Sequence, residues 1–418
     1  MPKLVINGAR KLQGEIRIHG AKNSTLPLMA ASLVCGGKCV LHNCPSLSDV
    51  DTAIRILRHL GCSVTCSTGE VEIDPLPADR FDIPDHLMRE MRSSIIFLGA
   101  IVSRMGKALL SFPGGCELGP RPIDLHLSAL RKMGVTIDES HGCLDCSVPD
   151  GLKGANINLS FPSVGATENI IIAAVLAKGE TVITNAAREP EIWDLADFLN
   201  SCGAKIRGAG GSTIFIEGVS SLSGCEHRVI PDRIAAATYL AAAAATGSKL
   251  TVSNIIPEHL EPVFPAFEES GCRLELEGDR VRITAPDRLN RIRNVRTMPY
   301  PGFPTDAQAP VMAMTSIADG TSIFVENIFE SRYKHVGELM RLGAHIKVEG
   351  RVAVVEGVSH LSGACVEATD LRGGAALVVA GLAAHGATEI CGLHHLDRGY
   401  EFMEENLASL GADIKRIQ

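Results

Sequence analysis

Hydrophobic and polar positions along the chain alternate between helical and strand-like periodicity in a fixed order. In one clear stretch, the apolar run at 170–177 predicts a helix, residues 181–184 predict a strand, and residues 191–199 predict an amphipathic helix. Residues 204–217, with glycines in their centre, predict a β-hairpin. The pattern therefore predicts the order strand, helix, strand, helix, strand, strand.

This order recurs along the whole chain. A glycine that follows a predicted helix and precedes a β-forming segment returns every 68 to 73 residues, at Gly61, Gly134, Gly203, Gly271, Gly343 and Gly411. Such regular spacing is typical of a structural repeat. The sequence predicts an α/β fold made of six βαβαββ units.

The last unit ends after one strand of its hairpin, whereas the chain begins with strand-like residues at 4–7 and 14–18. We therefore expect the N-terminal ~20 residues to pair with the C-terminal strand and complete the sixth unit. This predicts one domain from residues 1–20 plus 229–418 and another from 21–228. Two chain crossings would join them, which permits hinge closure over a site at the interface.

The composition excludes several classes of protein. The chain is 45% hydrophobic and 21% charged, as in ordinary globular proteins, and its net charge of −8 gives no reason to expect nucleic acid or an anionic membrane as a partner. Its apolar runs fall short of the ~20 residues that cross a bilayer, and its first residues do not resemble a signal peptide. The odd number of cysteines, 13, is typical of free thiols in the cytoplasm.

Polar residues interrupt the apolar pattern at matching places in the units. They mark predicted starts of the first helix and the turn before the second, and six of them are cations: Lys22, Arg92, Arg121, Arg332, Arg372 and Arg398. Helix N-termini offer free N–H groups, so added cations would bind phosphate or carboxylate. The alternative is ordinary capping, for which Asp232, Thr305 and Asp370 are suited, together with surface ion pairs. Recurrence at equivalent positions favours a shared anion site.

The second unit carries a longer connection, Pro113-Gly-Gly-Cys-Glu-Leu-Gly-Pro-Arg-Pro122. Inserted loops often carry function, and Arg121 would favour the thiolate form of Cys116. We interpret most other cysteines as small buried apolar residues. Cys143 and Cys146 have the spacing of half a zinc site but lack a second pair, and His394-His395 are interpreted as local structure, so we expect no metal site. The phosphate-binding and dinucleotide-binding glycine motifs are also absent from the sequence.

Several motifs resemble those of one family: Gly20-Ala-Lys-Asn23, the segment from Pro113 to His126, Ser163-Val-Gly-Ala-Thr167, Asn185-Ala-Ala-Arg-Glu-Pro-Glu191, Phe303-Pro-Thr-Asp306 and Asp397-Arg-Gly-Tyr400. They are similar to the UDP-N-acetylglucosamine enolpyruvyl transferases, and the likeness runs the full length. The resemblance implies two inverse α/β barrel domains. It also implies transfer of enolpyruvyl from phosphoenolpyruvate to the 3′-hydroxyl of UDP-N-acetylglucosamine, the first committed step of bacterial peptidoglycan synthesis, without a cofactor.

The resemblance also implies roles for individual residues. Those expected to bind phosphoenolpyruvate are Lys22, Asn23, Arg121, Arg332, Arg372 and Arg398. Those expected to bind the UDP-sugar are Arg92, Arg121, Pro122, Ile123, Asp124, Leu125, Ser163, Val164, Gly165, Asp306 and Ile328. Cys116 would donate a proton to the methylene carbon, could form a covalent adduct with phosphoenolpyruvate and would react with fosfomycin. Asp306 would accept the proton of the 3′-hydroxyl, and Lys22 and Arg398 would also take part in catalysis.

One departure from the family and two alternatives accompany this interpretation. Some members carry a basic residue before the Ser-Val-Gly segment, where this chain has Phe161-Pro162, which puts uridine diphosphate contacts there in question. The sister enzyme that uses shikimate 3-phosphate has the same fold, but the Cys116 loop argues against it. A non-catalytic paralogue that binds the sugar nucleotide is disfavoured because Cys116, Lys22, Asp306 and Arg398 are all present.

Overall fold

The structure is a computed structural model that describes residues 2–113 and 123–417. These residues form two compact domains. The first domain contains residues 20–113 and 123–230, and the second contains residues 2–19 and 231–417. The domain boundaries predicted from the sequence, after residues 20 and 228, lie within two residues of the boundaries in the structure, after residues 19 and 230.

The first domain contains three repeat units and a final strand. Its elements are α1 (Lys22–Ser32), β3 (Cys39–His42), α2 (Ser48–His59), β4 (Ser63–Ser67), β5 (Glu70–Asp74), β6 (Asp82–Ile83), α3 (Asp85–Glu90), a 3₁₀ turn (Arg92–Ile96), α4 (Phe97–Met105), β7 (Lys107–Ser111), α5 (Asp124–Lys132), β8 (Thr136–Ser140), β9 (Cys143–Ser147), β10 (Asn156–Asn158), α6 (Val164–Ala174), β11 (Glu180–Thr184), α7 (Pro190–Ser201), β12 (Lys205–Arg207), β13 (Thr213–Glu217) and β14 (Glu226–Arg228).

The second domain begins with the two N-terminal strands and resumes after the first domain. Its elements are β1 (Lys3–Asn7), β2 (Gln13–Arg17), α8 (Arg233–Ala245), β15 (Lys249–Ser253), α9 (Pro257–Leu260), α10 (Phe264–Glu269), β16 (Arg273–Glu277), β17 (Arg280–Thr284), β18 (Asn294–Arg296), α11 (Thr305–Thr315), β19 (Thr321–Val325), α12 (Val336–Arg341), β20 (His345–Glu349), β21 (Val352–Glu356), β22 (Cys365–Glu367), α13 (Leu371–Ala383), β23 (Ala387–Cys391), a 3₁₀ turn (Leu396–Arg398), α14 (Met403–Ser409) and β24 (Asp413–Ile417).

The predicted βαβαββ order is confirmed by the sheets. Within the described residues the strands form six four-stranded sheets, three in each domain. In the third unit, β10 pairs in parallel with β11, β11 pairs antiparallel with β13, and β13 pairs antiparallel with β12. The helix between β10 and β11 is the crossover that a parallel pair requires.

Strand exchange completes the first, fourth and sixth sheets. β1 pairs with both β23 and β24, so the predicted completion of the sixth unit is confirmed. The expectation that the second N-terminal strand also belongs there is wrong, because β2 pairs in parallel with β15 in the fourth unit. The fourth unit needs β2 because β14, the strand that directly precedes this unit in the chain, pairs with β3 in the first unit.

The recurrence of glycine at six equivalent positions is explained by the backbone conformation there. The glycine φ angle lies between 90° and 101° at all six positions, where each second helix turns into the hairpin. L-residues with a side chain rarely adopt this conformation, whereas glycine adopts it without steric cost. The repeat in the sequence therefore records a backbone requirement.

The asparagine that ends the middle strand in four units closes its sheet. The Nδ2 groups of Asn43, Asn185, Asn254 and Asn327 donate to the carbonyl that follows the first strand of the same sheet, over 2.6 to 3.1 Å. The first three of these residues also have positive φ angles, which asparagine tolerates better than most residues. These asparagines are structural.

The first helix of each unit lies in the interior. In the second domain, α8, α11 and α13 pack against one another, and nearly all of their residues are buried. In the first domain α4 packs against α1 and α6 in the same manner. Helices that are apolar on every side must be covered on every side, and each domain has its own hydrophobic core. Within the described chain, none of the helices combines the length and apolarity needed to cross a bilayer.

Candidate active site

The N-terminus of α11 in the second domain carries a carboxylate held by two arginines. Asp306 Oδ1 accepts a hydrogen bond from Arg332 Nη2 at 2.9 Å, and its Oδ2 accepts one from Arg372 Nη2 at 3.0 Å. Both arginine side chains are only 3% exposed, whereas that of Asp306 is 27% exposed. Two positive charges thus surround one carboxylate that remains within reach of a ligand.

The arginines retain hydrogen-bonding capacity. Arg332 Nε, Arg372 Nε and Arg372 Nη1 have no hydrogen-bond partner among the described residues, although all three atoms are buried. Burial lowers the pKa of Arg372, but the nearby Asp306 carboxylate together with Tyr400 and Asp232 outweighs this effect, so the pKa is raised overall. Because unsatisfied buried donors are costly, these groups favour a bound anion.

Capping side chains orient the start of α13. Asp370 Oδ1 accepts from the backbone N–H groups of Arg372 and Gly373, both at 3.0 Å, so Asp370 is an N-cap as predicted. Asp232 caps α8 in the same way. The prediction that Thr305 caps α11 is wrong: Pro304 occupies the N-cap position, and the Thr305 hydroxyl instead donates to Glu326 Oε2 at 3.0 Å.

Glu326 ties the predicted sugar-binding residue Ile328 to the start of α11. Its carboxylate is buried. Oε1 accepts hydrogen bonds from the backbone N–H groups of Ile328 at 2.8 Å and Phe329 at 3.0 Å. Oε2 accepts a hydrogen bond from the Thr305 hydroxyl. The turn after β19 and the N-terminus of α11 are therefore held together. Sequence reasoning missed Glu326, since nothing in its local pattern distinguishes it from a surface glutamate.

Arg398 lies at the end of the 3₁₀ turn after β23 and is partly buried. Two residues later, the Tyr400 hydroxyl is 2.9 Å from the Thr238 hydroxyl on α8. The Arg372 guanidinium lies 5.4 Å from the Tyr400 ring centre, within cation–π range. Tyr400 thus links the Arg398 turn to α8 and α13, a role that its place in a predicted motif did not reveal.

In the first domain, Lys22 is the first residue of α1 and is buried beside a carboxylate. Lys22 Nζ lies 3.0 Å from Asp49 Oδ2, and the two side chains are 11% and 3% exposed. Two residues after Lys22, the Ser24 hydroxyl donates to Asp194, which also accepts from His227 at 2.9 Å. Asn23, between them, is partly buried. These contacts orient the cationic end of α1.

A buried amide joins the predicted sugar-binding segments of the same domain. Asn169 on α6 accepts from the Gly99 N–H at 2.6 Å and donates to the Ile95 carbonyl and to His126 Nδ1, each at 3.0 Å. The His126 ring packs against Gly165, where an added Cβ would lie 3.3 Å from Cε1. The two helix starts that carry 123–125 and 163–165 are therefore neighbours.

The positive charge of Arg92 acts on His126. Burial, followed by the positive charge of Arg92, lowers the pKa of His126 to about 4. The ring is therefore neutral near pH 7, and its Nδ1 can accept a hydrogen bond from the Asn169 side-chain amide. Arg92 begins the 3₁₀ turn that precedes α4 and is partly buried. The structure thus brings Arg92 to the two predicted sugar-binding segments.

The remaining predicted residues have varied positions. Ile123 is buried, Asp124 is exposed and begins α5, and Leu125 is half-buried. Ser163 is an N-cap whose side chain accepts from the Ala166 N–H, and Val164 and Gly165 begin α6. Phe161, at the departure from the family pattern, is 41% exposed. The predicted roles of Cys116, Arg121 and Pro122 fall on residues outside those the structure describes.

The pH dependence of stability should reflect His126. Unfolded histidine has a pKa near 6.5, so between pH 6.5 and 4 the unfolded state binds more protons and the free energy of unfolding falls as the pH falls. We expect a loss of up to about 3 kcal/mol across this window from His126. It is measured by denaturant unfolding at several pH values from 7.5 to 4, followed by fluorescence of Trp193, the single tryptophan, which lies in the same domain.

The matched variants are His126→Gln and His86→Gln, the second at an exposed histidine of the first domain. His126→Gln should flatten the pH dependence of unfolding, and His86→Gln should leave it as in the wild type. Equal slopes for His126→Gln and the wild type would show that His126 is not a buried neutral group.

Comparisons with known proteins identify the fold and the family of this chain. The sequence profile of the family described as EPSP synthase (3-phosphoshikimate 1-carboxyvinyltransferase) matches residues 6–407. The enolpyruvyl transferase NikO from Streptomyces tendae superposes with a TM-score of 0.90 at 27% identity, covering 99% of this chain and 98% of NikO. EPSP synthase from Acinetobacter baumannii, at 19% identity and a TM-score of 0.76, shares the fold over 100% of both chains. The architecture is that of an enolpyruvyl transferase.

Sequence relatives narrow the comparison. UDP-N-acetylglucosamine 1-carboxyvinyltransferase 2 of Caldanaerobacter subterraneus is 54% identical over 417 residues and covers 100% of both chains. UDP-N-acetylglucosamine 1-carboxyvinyltransferase 1 of Symbiobacterium thermophilum is 50% identical over 422 residues, covering 99% of this chain and 95% of the relative. This chain belongs to the EPSP synthase family of carboxyvinyltransferases, and it is a transferase.

Proposed function

We propose that this protein transfers the enolpyruvyl group of phosphoenolpyruvate to the 3′-hydroxyl of UDP-N-acetylglucosamine and releases phosphate. The observation that carries the proposal is Asp306, a partly exposed carboxylate held at a helix N-terminus by two buried arginines with unused donors. It offers a proton acceptor beside cations that suit anionic substrates. The UDP-N-acetylglucosamine 1-carboxyvinyltransferases at 54% and 50% identity support the same substrate pair.

The predicted site residues fall into two sets with distinct proposed roles. Arg332, Arg372, Arg398, Lys22 and Asn23 bind the carboxylate and phosphate of phosphoenolpyruvate. Arg121 completes this set. Residues that bind the UDP-sugar are Arg92, Arg121, Pro122, Ile123, Asp124, Leu125, Ser163, Val164, Gly165, Asp306 and Ile328. Helix N-termini and guanidinium groups both favour such anions.

The proposed chemistry is an addition followed by an elimination. The oxygen of the sugar 3′-hydroxyl forms a bond to C2 of phosphoenolpyruvate while Asp306 accepts the proton of that hydroxyl. Cys116 donates a proton to the methylene carbon. The tetrahedral intermediate then loses phosphate from C2 and a proton from the new methyl group, which restores the double bond. Lys22 and Arg398 stabilise the developing charge. No redox change occurs, and the steps require neither a metal ion nor a cofactor; Cys116 could also form a covalent adduct with phosphoenolpyruvate.

Two other functions have less support. The family profile carries the name of the shikimate 3-phosphate enzyme, but the solved EPSP synthase is only 19% identical and supports the fold alone. A regulatory paralogue without activity is disfavoured by the intact Lys22–Asp49 and Asp306–arginine contacts. We place the reaction in the cytoplasm, since 12 free cysteines among the described residues suit a reducing compartment.

The expected result with purified protein is phosphate release that requires both phosphoenolpyruvate and UDP-N-acetylglucosamine. Mass spectrometry should show the sugar nucleotide carrying one enolpyruvyl group. Reactions that lack either substrate serve as controls. Release of phosphate with shikimate 3-phosphate in place of the sugar nucleotide would favour the sister activity, and no release with either acceptor would overturn the proposal.

A further inference from the structure

Four cysteines from distant parts of the sequence converge in the first domain. Cys35 follows α1, Cys39 begins β3, Cys202 follows α7, and Cys225 precedes β14. Cys202 Sγ lies 3.7 Å from Cys35 Sγ and 3.2 Å from Cys225 Sγ. The sulfur atoms of Cys35, Cys39 and Cys202 all lie within 4.8 Å of one another.

The sulfur atoms of Cys35, Cys39 and Cys202 are spaced like three ligands of a tetrahedral metal site. Zinc binds cysteine sulfur at about 2.3 Å, which separates two sulfur ligands of a tetrahedron by about 3.8 Å. The Cys35–Cys202 separation already has this value. The Cys202–Cys225 separation needs to widen by a few tenths of an ångström. Cys225 Sγ must also move closer to the other sulfur atoms, because the set within 4.8 Å of one another comprises Cys35, Cys39 and Cys202. Ordinary side-chain rotation about χ1 provides such a movement.

The backbone around the sulfur atoms is packed closely enough to hold them in place. Cys35 and Cys39 flank a Gly-Gly-Lys turn whose Gly36 N–H donates to the Leu222 carbonyl at 2.9 Å. A Cβ added to Gly36 would lie 2.5 Å from that oxygen, and one added to Gly224 would lie 1.9 Å from the Lys38 carbonyl oxygen. Glycine is therefore required on both segments for the cysteines to approach one another.

The cluster is shielded from solvent. Cys35, Cys39 and Cys202 are buried, and Cys225 is partly buried. Buried thiolates need a compensating cation, and a divalent metal bound by cysteine supplies one.

We propose that Cys35, Cys39, Cys202 and Cys225 bind one zinc ion. On binding, four Zn–S bonds form and each thiol that was protonated loses its proton to solvent. The ion would connect the C-terminal end of α1 to α7 and to the strand β14. This site revises the sequence-based expectation of no metal. It is structural, since Lys22 lies at the opposite end of the 11-residue helix α1, which is about 16 Å long.

The test measures metal content and the spectrum of the cobalt form of the full chain. Protein produced with added zinc should contain about one zinc per chain by mass spectrometry. Exchange into cobalt should produce the sulfur-to-cobalt charge-transfer band and the intense visible bands of a tetrahedral thiolate site. Removal of zinc by a chelator should lower the midpoint of the Trp193 unfolding transition.

Variants identify the ligands. Cys39→Ser and Cys202→Ser should each weaken zinc binding by at least tenfold, whereas Cys146→Ser, at another buried cysteine of the first domain, should keep the zinc content of the wild type. Should the ligand variants fail to fold, the cobalt spectrum of the wild type still decides the question. A metal-free protein with four free thiols, or one with a Cys202–Cys225 disulfide, overturns the proposal.

Discussion

Replacing Asp306 with asparagine is expected to lower kcat by about 10²- to 10⁴-fold, the usual contribution of a general base. The amide cannot accept the proton of the 3′-hydroxyl. The substitution also removes the negative charge to which Arg332 and Arg372 donate hydrogen bonds, at 2.9 and 3.0 Å respectively. Steady-state phosphate release at saturating concentrations of both substrates measures the effect.

A matched control distinguishes this role from general damage. Asp319→Asn makes the same chemical change at a residue of the second domain whose side chain is 78% exposed. It should leave kcat and KM at wild-type values. Thermal unfolding by circular dichroism reports whether either variant is misfolded. A folded Asp306→Asn variant with kcat within tenfold of the wild type would exclude Asp306 as the base.

The second large effect is expected for Asn169→Ala, which should lower the free energy of unfolding of the first domain by about 3 to 5 kcal/mol. The variant removes three buried hydrogen bonds, with Gly99, Ile95 and His126. Each buried group left without a partner costs about 1–3 kcal/mol. Denaturant unfolding followed by Trp193 fluorescence measures the loss in this domain.

Asn169→Ala should also raise the KM for UDP-N-acetylglucosamine, because the His126 ring would no longer be oriented against Gly165. Asn200→Ala is the control: its exposed amide makes two hydrogen bonds to Ile206, which water can replace. It should cost about 1 kcal/mol and leave KM unchanged. Equal losses for the two variants would contradict the special role of Asn169.

Local rules made the repeat and the helix starts predictable. The six glycines are recognisable because each occupies a backbone conformation that only glycine adopts readily. The starts of α8 and α13 follow from their capping residues Asp232 and Asp370. These signals act between residues a few positions apart, so the linear sequence contains them in full.

Exchange of strands between units could be predicted only in part. The single strand at the C-terminal end indicated that β1 was needed there. Nothing local indicates that β2 pairs with β15 or that β14 pairs with β3, since both are short parallel pairs whose partners lie more than 180 residues away. Parallel pairing depends on the crossover path of the chain, which is a property of the whole domain.

The amino-acid sequence by itself determined the six units, the positions of lysine and arginine residues near predicted helix starts, and the family of the protein. Only the tertiary structure placed Asp306 between Arg332 and Arg372, joined His126 to Asn169, and gathered Cys35, Cys39, Cys202 and Cys225. The reason is physical: caps and turns satisfy the backbone within a few residues, whereas a carboxylate, a buried amide or a thiol acquires its partners only when distant segments pack together.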